Sequence, residues 1–231
     1  MLKRTVCMLI TLASTQNVLS QRLRQPREVV EAYRVCEQFK SLMAKDLDFD
    51  RAFEATFTKS AARRREIAIT EGEFGSLDFS HVSNATLIDA FKSRMQILFL
   101  TLPLASPNNE EEEALFFPPA IEAIFERKPP ATAEEFSVYA AQLKRDVAEF
   151  RAHLNQLASR YPRVAERIRE FKSDLSKKIE LPQDRVKPLT AYSKGKVLGL
   201  REEYYQIGDY AVIREGSEMK IVGIRFFSRL F

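Results

Sequence analysis

The residues best suited to chemistry cluster near the C-terminus, where Glu202, Glu203, Tyr204, Tyr205 and Tyr210 bring carboxylates and phenols into one short stretch. On a strand, alternation sets Glu202 with Tyr204 on one face and Glu203 with Tyr205 on the other, so an acid and a phenol could share a proton-transfer or ligand-binding task. Glu203, Tyr205 and Tyr210 are the candidate ligand-binding residues. The plainer account of the same pattern is an edge strand kept polar to stay soluble.

Other reactive residue types are sparse. His81 and His153 are the two histidines, too few for a His-rich metal centre. His81 falls at a helix start and His153 off an apolar seam beside Arg151 and Asn155, and both read as surface residues. Cys36 shares a helix face with Tyr33 and Phe39, which suits a small core residue better than a nucleophile, and with Cys7 it offers no disulfide framework. Glu110 to Glu113 resemble a metal site at first sight. Consecutive helical positions point apart, however, and an acidic first turn facing the helix dipole accounts for them. Arg63, Arg64 and Arg65 also fan around a helix, which makes a solvated surface rather than a phosphate stripe. No nucleophile elbow, zinc-protease helix, phosphate loop, dinucleotide fingerprint or EF-hand loop occurs. No metal or cofactor is therefore expected.

The composition sets further bounds. With 231 residues, 45% hydrophobic content and 17 Phe, the chain can fill a sizeable core. The formal charge of +4 includes Lys3 and Arg4 and is spread among mixed charges, too little to argue for nucleic acid. Met1 to Arg4 is basic, Val6 to Ala13 is apolar, and Val18-Leu19-Ser20 precedes Gln21, the order of a secretory signal peptide. The apolar run is shorter than the roughly 20 residues that span a bilayer. Export to the periplasm, cell envelope or exterior is expected, with no stable membrane span in the mature chain; a cytoplasmic protein with an amphipathic N-terminus is the alternative.

The elements that position these residues are mostly helical. Pro26 opens a helix with an apolar stripe from Val29 through Phe39 to Met43. Asp48 or Asp50 caps a second helix and Ser60 a third; Ser80 or Ser83 starts another, whose apolar face runs from Leu87 to Leu102. After a linker-like 103–109, Ile121, Ile124 and Phe125 face inward from a short helix between proline pairs. Thr132 begins a capping box, and Phe136, Ala140, Leu143, Val147, Phe150, Leu154 and Leu157 follow at heptad steps. Unbroken to Leu175, that helix would be about 65 Å long at 1.5 Å per residue. Pro162 argues for a kink or for a second helix beginning there. The heptad could equally form a dimer seam, although packing within the chain is the simpler use. From Ala191 the pattern changes to strand, with Gly216-Ser217 as a two-residue hairpin turn of type II′.

The Phe-Glu-Ala-Thr-Phe segment after the first helix and the terminal Tyr-Ala-Val-Ile-Arg-Glu-Gly-Ser-Glu-Met-Lys-Ile-Val-Gly hairpin resemble the two ends of an NTF2-like (SnoaL or ketosteroid-isomerase type) domain. The likeness covers about 27–57 and 195–227 and implies a curved sheet around a helix enclosing a pocket. Where that family has its middle strands, this chain reads as helix from Leu87 to Ile179, and no catalytic Asp or Tyr of the family maps onto it.

The sequence thus predicts an α+β protein with a predominantly helical body and a small C-terminal antiparallel sheet of two or three strands. Its segments are a signal peptide (1–20), an N-terminal helical half (21–107), a heptad-patterned helical segment (108–190) and the sheet (191–231). The expected role is a non-enzymatic binding or interaction module, monomeric or homodimeric, for an unknown protein or a small apolar ligand. The alternatives are a small-molecule enzyme with a pocket between sheet and helices, and a scaffold dimerising through the heptad.

Overall fold

Four side chains start four helices by the same device. Asp48, Ser60, Ser83 and Thr132 each accept a hydrogen bond from the backbone N–H three residues on, satisfying a donor that the first turn leaves without an intrahelical partner. In a computed structural model, which describes residues 27–72, 74–75, 77–105, 107–179, 189–190 and 203–224, the helices are α1 (Arg27–Asp46), α2 (Phe49–Thr56), α3 (Ala61–Glu71), α4 (Asn84–Thr101), α5 (Glu110–Phe116), α6 (Pro119–Phe125), α7 (Ala133–Arg160) and α8 (Pro162–Ser176). Asn109 caps the acidic first turn of α5. Tyr161 leaves the helical conformation and Pro162 opens α8, so of the kink and the second helix that Pro162 allowed, the second helix is present. The signal-peptide segment 1–20 and Glu202 lie outside the described residues. Among the described residues, no helix is long and apolar enough to cross a membrane.

The predicted α+β architecture is present. A helical body carries an antiparallel meander of β2 (Glu203–Ile207), β3 (Tyr210–Glu215) and β4 (Glu218–Ile224), and the two-residue β1 (Leu189–Thr190) pairs with the outer edge of β2. Gly216, at φ 62°, begins the expected two-residue turn, and Ser217 keeps a negative φ, as type II′ requires. Gly208, at φ 56°, makes a second turn of the same kind with Asp209, splitting what reads in sequence as one run from Tyr204 to Ile213. The β3–β4 register shifts by one residue beside Ala211 and Val212. Val212 pairs with Ile221 on one face while Ile213 and Val222 are buried on the other.

One hydrophobic core draws on the eight helices and on β2, β3 and β4. Its centre is Phe49, whose ring lies 5.6–6.2 Å from those of Phe39, Phe53, Phe57, Phe91 and Phe99. Tyr210 reaches into the same cluster from the sheet, 5.7 Å from Phe39. The heptad residues of α7 pack within the chain, with Phe136, Ala140, Leu143, Phe150, Leu154 and Leu157 all buried.

Two expectations change on the surface of this body. Phe125 does not face inward. It is 45% exposed and packs by its edges against Phe117 and Phe150, because the seven-residue α6 buries only Ile121 and Ile124 beneath it. Arg63, Arg64 and Arg65 do fan around α3, yet they are not merely solvated. Arg64 makes a two-pronged bond to Glu54 at 3.0 and 3.2 Å and donates to the Thr58 carbonyl at 2.6 Å. Arg65 donates to the carbonyls of Phe79 and Val82, and Arg63 lies 4.0 Å from Glu215.

Candidate functional site

The sequence-predicted site residues do not form one site. Tyr205 and Tyr210 share the sheet face that packs on α1, but Tyr205 donates its hydroxyl to Glu28 near the surface, whereas Tyr210 is buried against Phe39. Burial pushes the Tyr210 phenol well above its ordinary range, and Cys36 and Asp209 add to the effect. Glu203 pairs through its backbone with Thr190. Beneath Val212 and Ile221 the space is filled by the Phe39 and Phe57 rings, and the nearby opening, an open groove of about 340 Å³ lined by Glu31, Arg34, Gln38 and the 217–220 segment, is polar. Cys36 is fully buried, and burial, followed by the neighbouring Glu37 carboxylate, raises its thiol far above the reactive range. His81 is exposed, as expected. His153 is half-buried and bonded through Nε2 to the Phe116 carbonyl at 3.0 Å, so it is a fixed part of the α5–α7 contact.

Two other places concentrate polar side chains inside the fold. The first is the corner between α1 and α2, where Leu47 adopts a left-handed φ of 51°. The buried Gln96 of α4 accepts from the Phe49 N–H at 2.7 Å and donates to the Leu47 carbonyl at 2.6 Å. Arg151 of α7 donates to the same carbonyl at 3.3 Å. The cleft outside this corner, about 210 Å³, is lined by Asp48, Asp50, Asp89, Lys92, Lys144 and Arg151. Its charges are largely paired among themselves: Lys92 bridges Asp50 at 2.6 Å, Glu54 at 3.4 Å and Asp89 at 3.6 Å. This is a clasp holding a strained corner, with an ion-pair network over it.

The second place is a recess between α4, α6 and α7, of about 270 Å³, with Ile97, Leu98, Ile124, Phe125 and Leu143 as its apolar wall and Arg94, Arg127 and Tyr139 as its polar groups. Behind it lies Asp146, 1% exposed. A buried carboxylate needs partners, and Asp146 has three contacts: Arg127 Nε at 3.1 Å, Arg127 Nη2 at 3.3 Å, and the Gln142 amide at 2.8 Å. Arg127 lies two residues past the end of α6, just after its cap Glu126, so the short proline-bracketed helix sets its guanidinium across from α7. Tyr139, 7% exposed, is held by ring contacts to Phe74 at 6.2 Å and Phe136 at 5.7 Å.

Sequence reasoning passed over Arg127, Tyr139 and Asp146. One signal was available: Asp146 falls three residues after Leu143 and four before Phe150, inside the apolar stripe of α7, where an unpaired acid could not stay. The arrangement can bind and orient a ligand. It holds no nucleophile activated by a base, and no group of three or more metal-ligating side chains occurs among the described residues. In comparisons with known proteins, no family model, curated protein or solved structure matches the chain.

Proposed function

We propose that this chain is an exported, non-enzymatic binding module whose ligand is a small apolar molecule held in the recess between α4, α6 and α7. The observation that carries the reading is the make-up of that recess, an apolar wall with a few convergent polar groups, which is the usual composition of a ligand site. The chemistry-bearing residues elsewhere support binding over catalysis, since Cys36 and Tyr210 are buried in the core. Export rests on the basic, apolar and small-residue order of 1–20. The NTF2-like likeness belongs to the proposal on one ground: α1 and α2, at one end of the resemblance, pack against the hairpin at the other.

The binding reading is tested by titrating 1-octanol into the full chain with labelled Ile and Leu methyl groups. Saturable shifts confined to Ile97, Leu98, Ile124 and Leu143, abolished by Leu143→Trp, are expected; uniform or non-saturating shifts would remove the recess as a ligand site. Export is tested by N-terminal sequencing of the protein from its native host, where a chain beginning at Met1 would defeat it.

A further inference from the structure

We infer that α6 is a lid on the α4–α6–α7 recess, latched shut by Arg127 on Asp146, an inference that rests on the recess being the ligand site. The recess has two kinds of wall. Arg94, Ile97 and Leu98 come from α4 and Tyr139 and Leu143 from α7, two helices that pack against each other, while Ile124, Phe125 and Arg127 come from α6 and the residues just after it. Phe125 both lines the recess and is 45% exposed, so it stands between that space and the solvent.

The α6 side is tied on by little. Seven residues are too few to hold a helix without tertiary support. Its backbone bonds are local: Phe117 donates to Glu113, Ile121 and Glu122 to Pro118, and Glu126 to Glu122, and among the described residues none reaches α4 or α7. Pro118, Pro119, Pro129 and Pro130 have no N–H to add one. Among the described residues the single polar link from 117–131 to another helix is Arg127 to Asp146. Beyond it, the segment is held by the buried side chains of Ile121 and Ile124 and by the edge contact of Phe125 with Phe150. The seat of the latch is firm, because Gln142 also holds Asp146 on α7. The proline pairs are stiff arms that carry a swing to their ends. Phe117, at φ −126° and ψ 64°, lies outside the helical and strand regions at one end, and the Ala131-Thr132 bend stands at the other.

The test begins with hydrogen exchange on the natural full-length chain. The Ile124 and Phe125 amides are expected to exchange about tenfold or more faster than those of Phe150 and Leu154, through an opening that low urea leaves unchanged. Asp146→Asn keeps the shape of the latch and strands no charge. It should speed α6 exchange about tenfold, and both association and dissociation of 1-octanol with it, so that affinity moves less than either rate. Exchange of α6 only together with α7 and with the same urea dependence, or α6 exchange unmoved by Asp146→Asn, overturns the latched lid and leaves the recess standing as a static site. If α6 opens but 1-octanol does not bind saturably, the ligand-site reading fails and the lid with it.

Discussion

Replacing Gln96 with leucine removes both halves of the clasp at the α1–α2 corner while keeping the volume nearly constant. The Phe49 N–H opens α2 and has no intrahelical acceptor, so losing the Gln96 oxygen leaves a buried donor unsatisfied, at about 1–3 kcal/mol. The Leu47 carbonyl loses its 2.6 Å partner but keeps Arg151 at 3.3 Å, so its share is smaller, about 1 kcal/mol. The added apolar side chain returns part of this, and the net loss should be about 2–3 kcal/mol. For a chain of this size that is a fall in Tm of roughly 4–12 °C, read by circular dichroism with urea unfolding as a second measure. Arg151→Met should cost less alone. Combined with Gln96→Leu it should cost more than the sum, because each variant leaves the other side chain as the remaining donor to Leu47. If Gln96→Leu changes stability by under about 0.5 kcal/mol, or the two losses simply add, the clasp does not hold the corner.

Arg127→Met should destabilise by about 3–5 kcal/mol, since it leaves the Asp146 carboxylate buried without its cation; adding Asp146→Leu should recover much of that loss, measured by urea denaturation. Gly72→Ala should cost about 1–3 kcal/mol, because a Cβ there would meet the Ala68 carbonyl and the buried Phe74 ring at 2.3 Å each, and a wild-type melting curve would exclude that contact. Glu215 is partly desolvated, which raises its pKa, but the Lys59 N–H, the Thr58 hydroxyl and Arg63 outweigh this and hold it below the ordinary glutamate range. A depressed carboxylate stabilises the fold above its unfolded pKa and loses that contribution as pH falls through its folded pKa. The stability advantage of the natural chain over Glu215→Gln should therefore be full at pH 7 and shrink below about pH 4.5, and an advantage that stays constant to pH 3 would contradict the assignment.

What the sequence disclosed was whatever depends on neighbours a few residues away. The caps Asp48, Ser60, Ser83 and Thr132, the break before Pro162 and the Gly216-Ser217 turn each follow from local backbone chemistry, and the heptad of α7 marks its buried stripe. The Gly208-Asp209 turn was legible as well, since Gly-Asp between two β-rich runs is a two-residue hairpin signal, but it was passed over beside the clearer Gly216-Ser217. The recess was beyond such reasoning. Arg127 and Asp146 are 19 residues apart on different helices, and Gln96 meets Leu47 across 49 residues, distances at which spacing carries no signal. Phe125 and the three arginines of α3 were misjudged for the same reason, as each is placed by what lies opposite it in space.

The Phe57-Thr58 corner, which bridges to Ile221 and takes Glu215 as a hydrogen-bond acceptor, has a consequence for how the chain is made. Glu215 lies 157 residues beyond Thr58, and Ile221 farther still. At about 5–20 residues per second, a ribosome leaves the corner waiting roughly 8–30 s for them. Throughout that interval the aromatic face of α1 and α2 lacks its sheet, and a newborn chain in that state is a natural client for a holding chaperone. Were the chain exported as proposed, that delay would be useful, because the sheet against α1 and α2 is incomplete until β3 and β4 have been made.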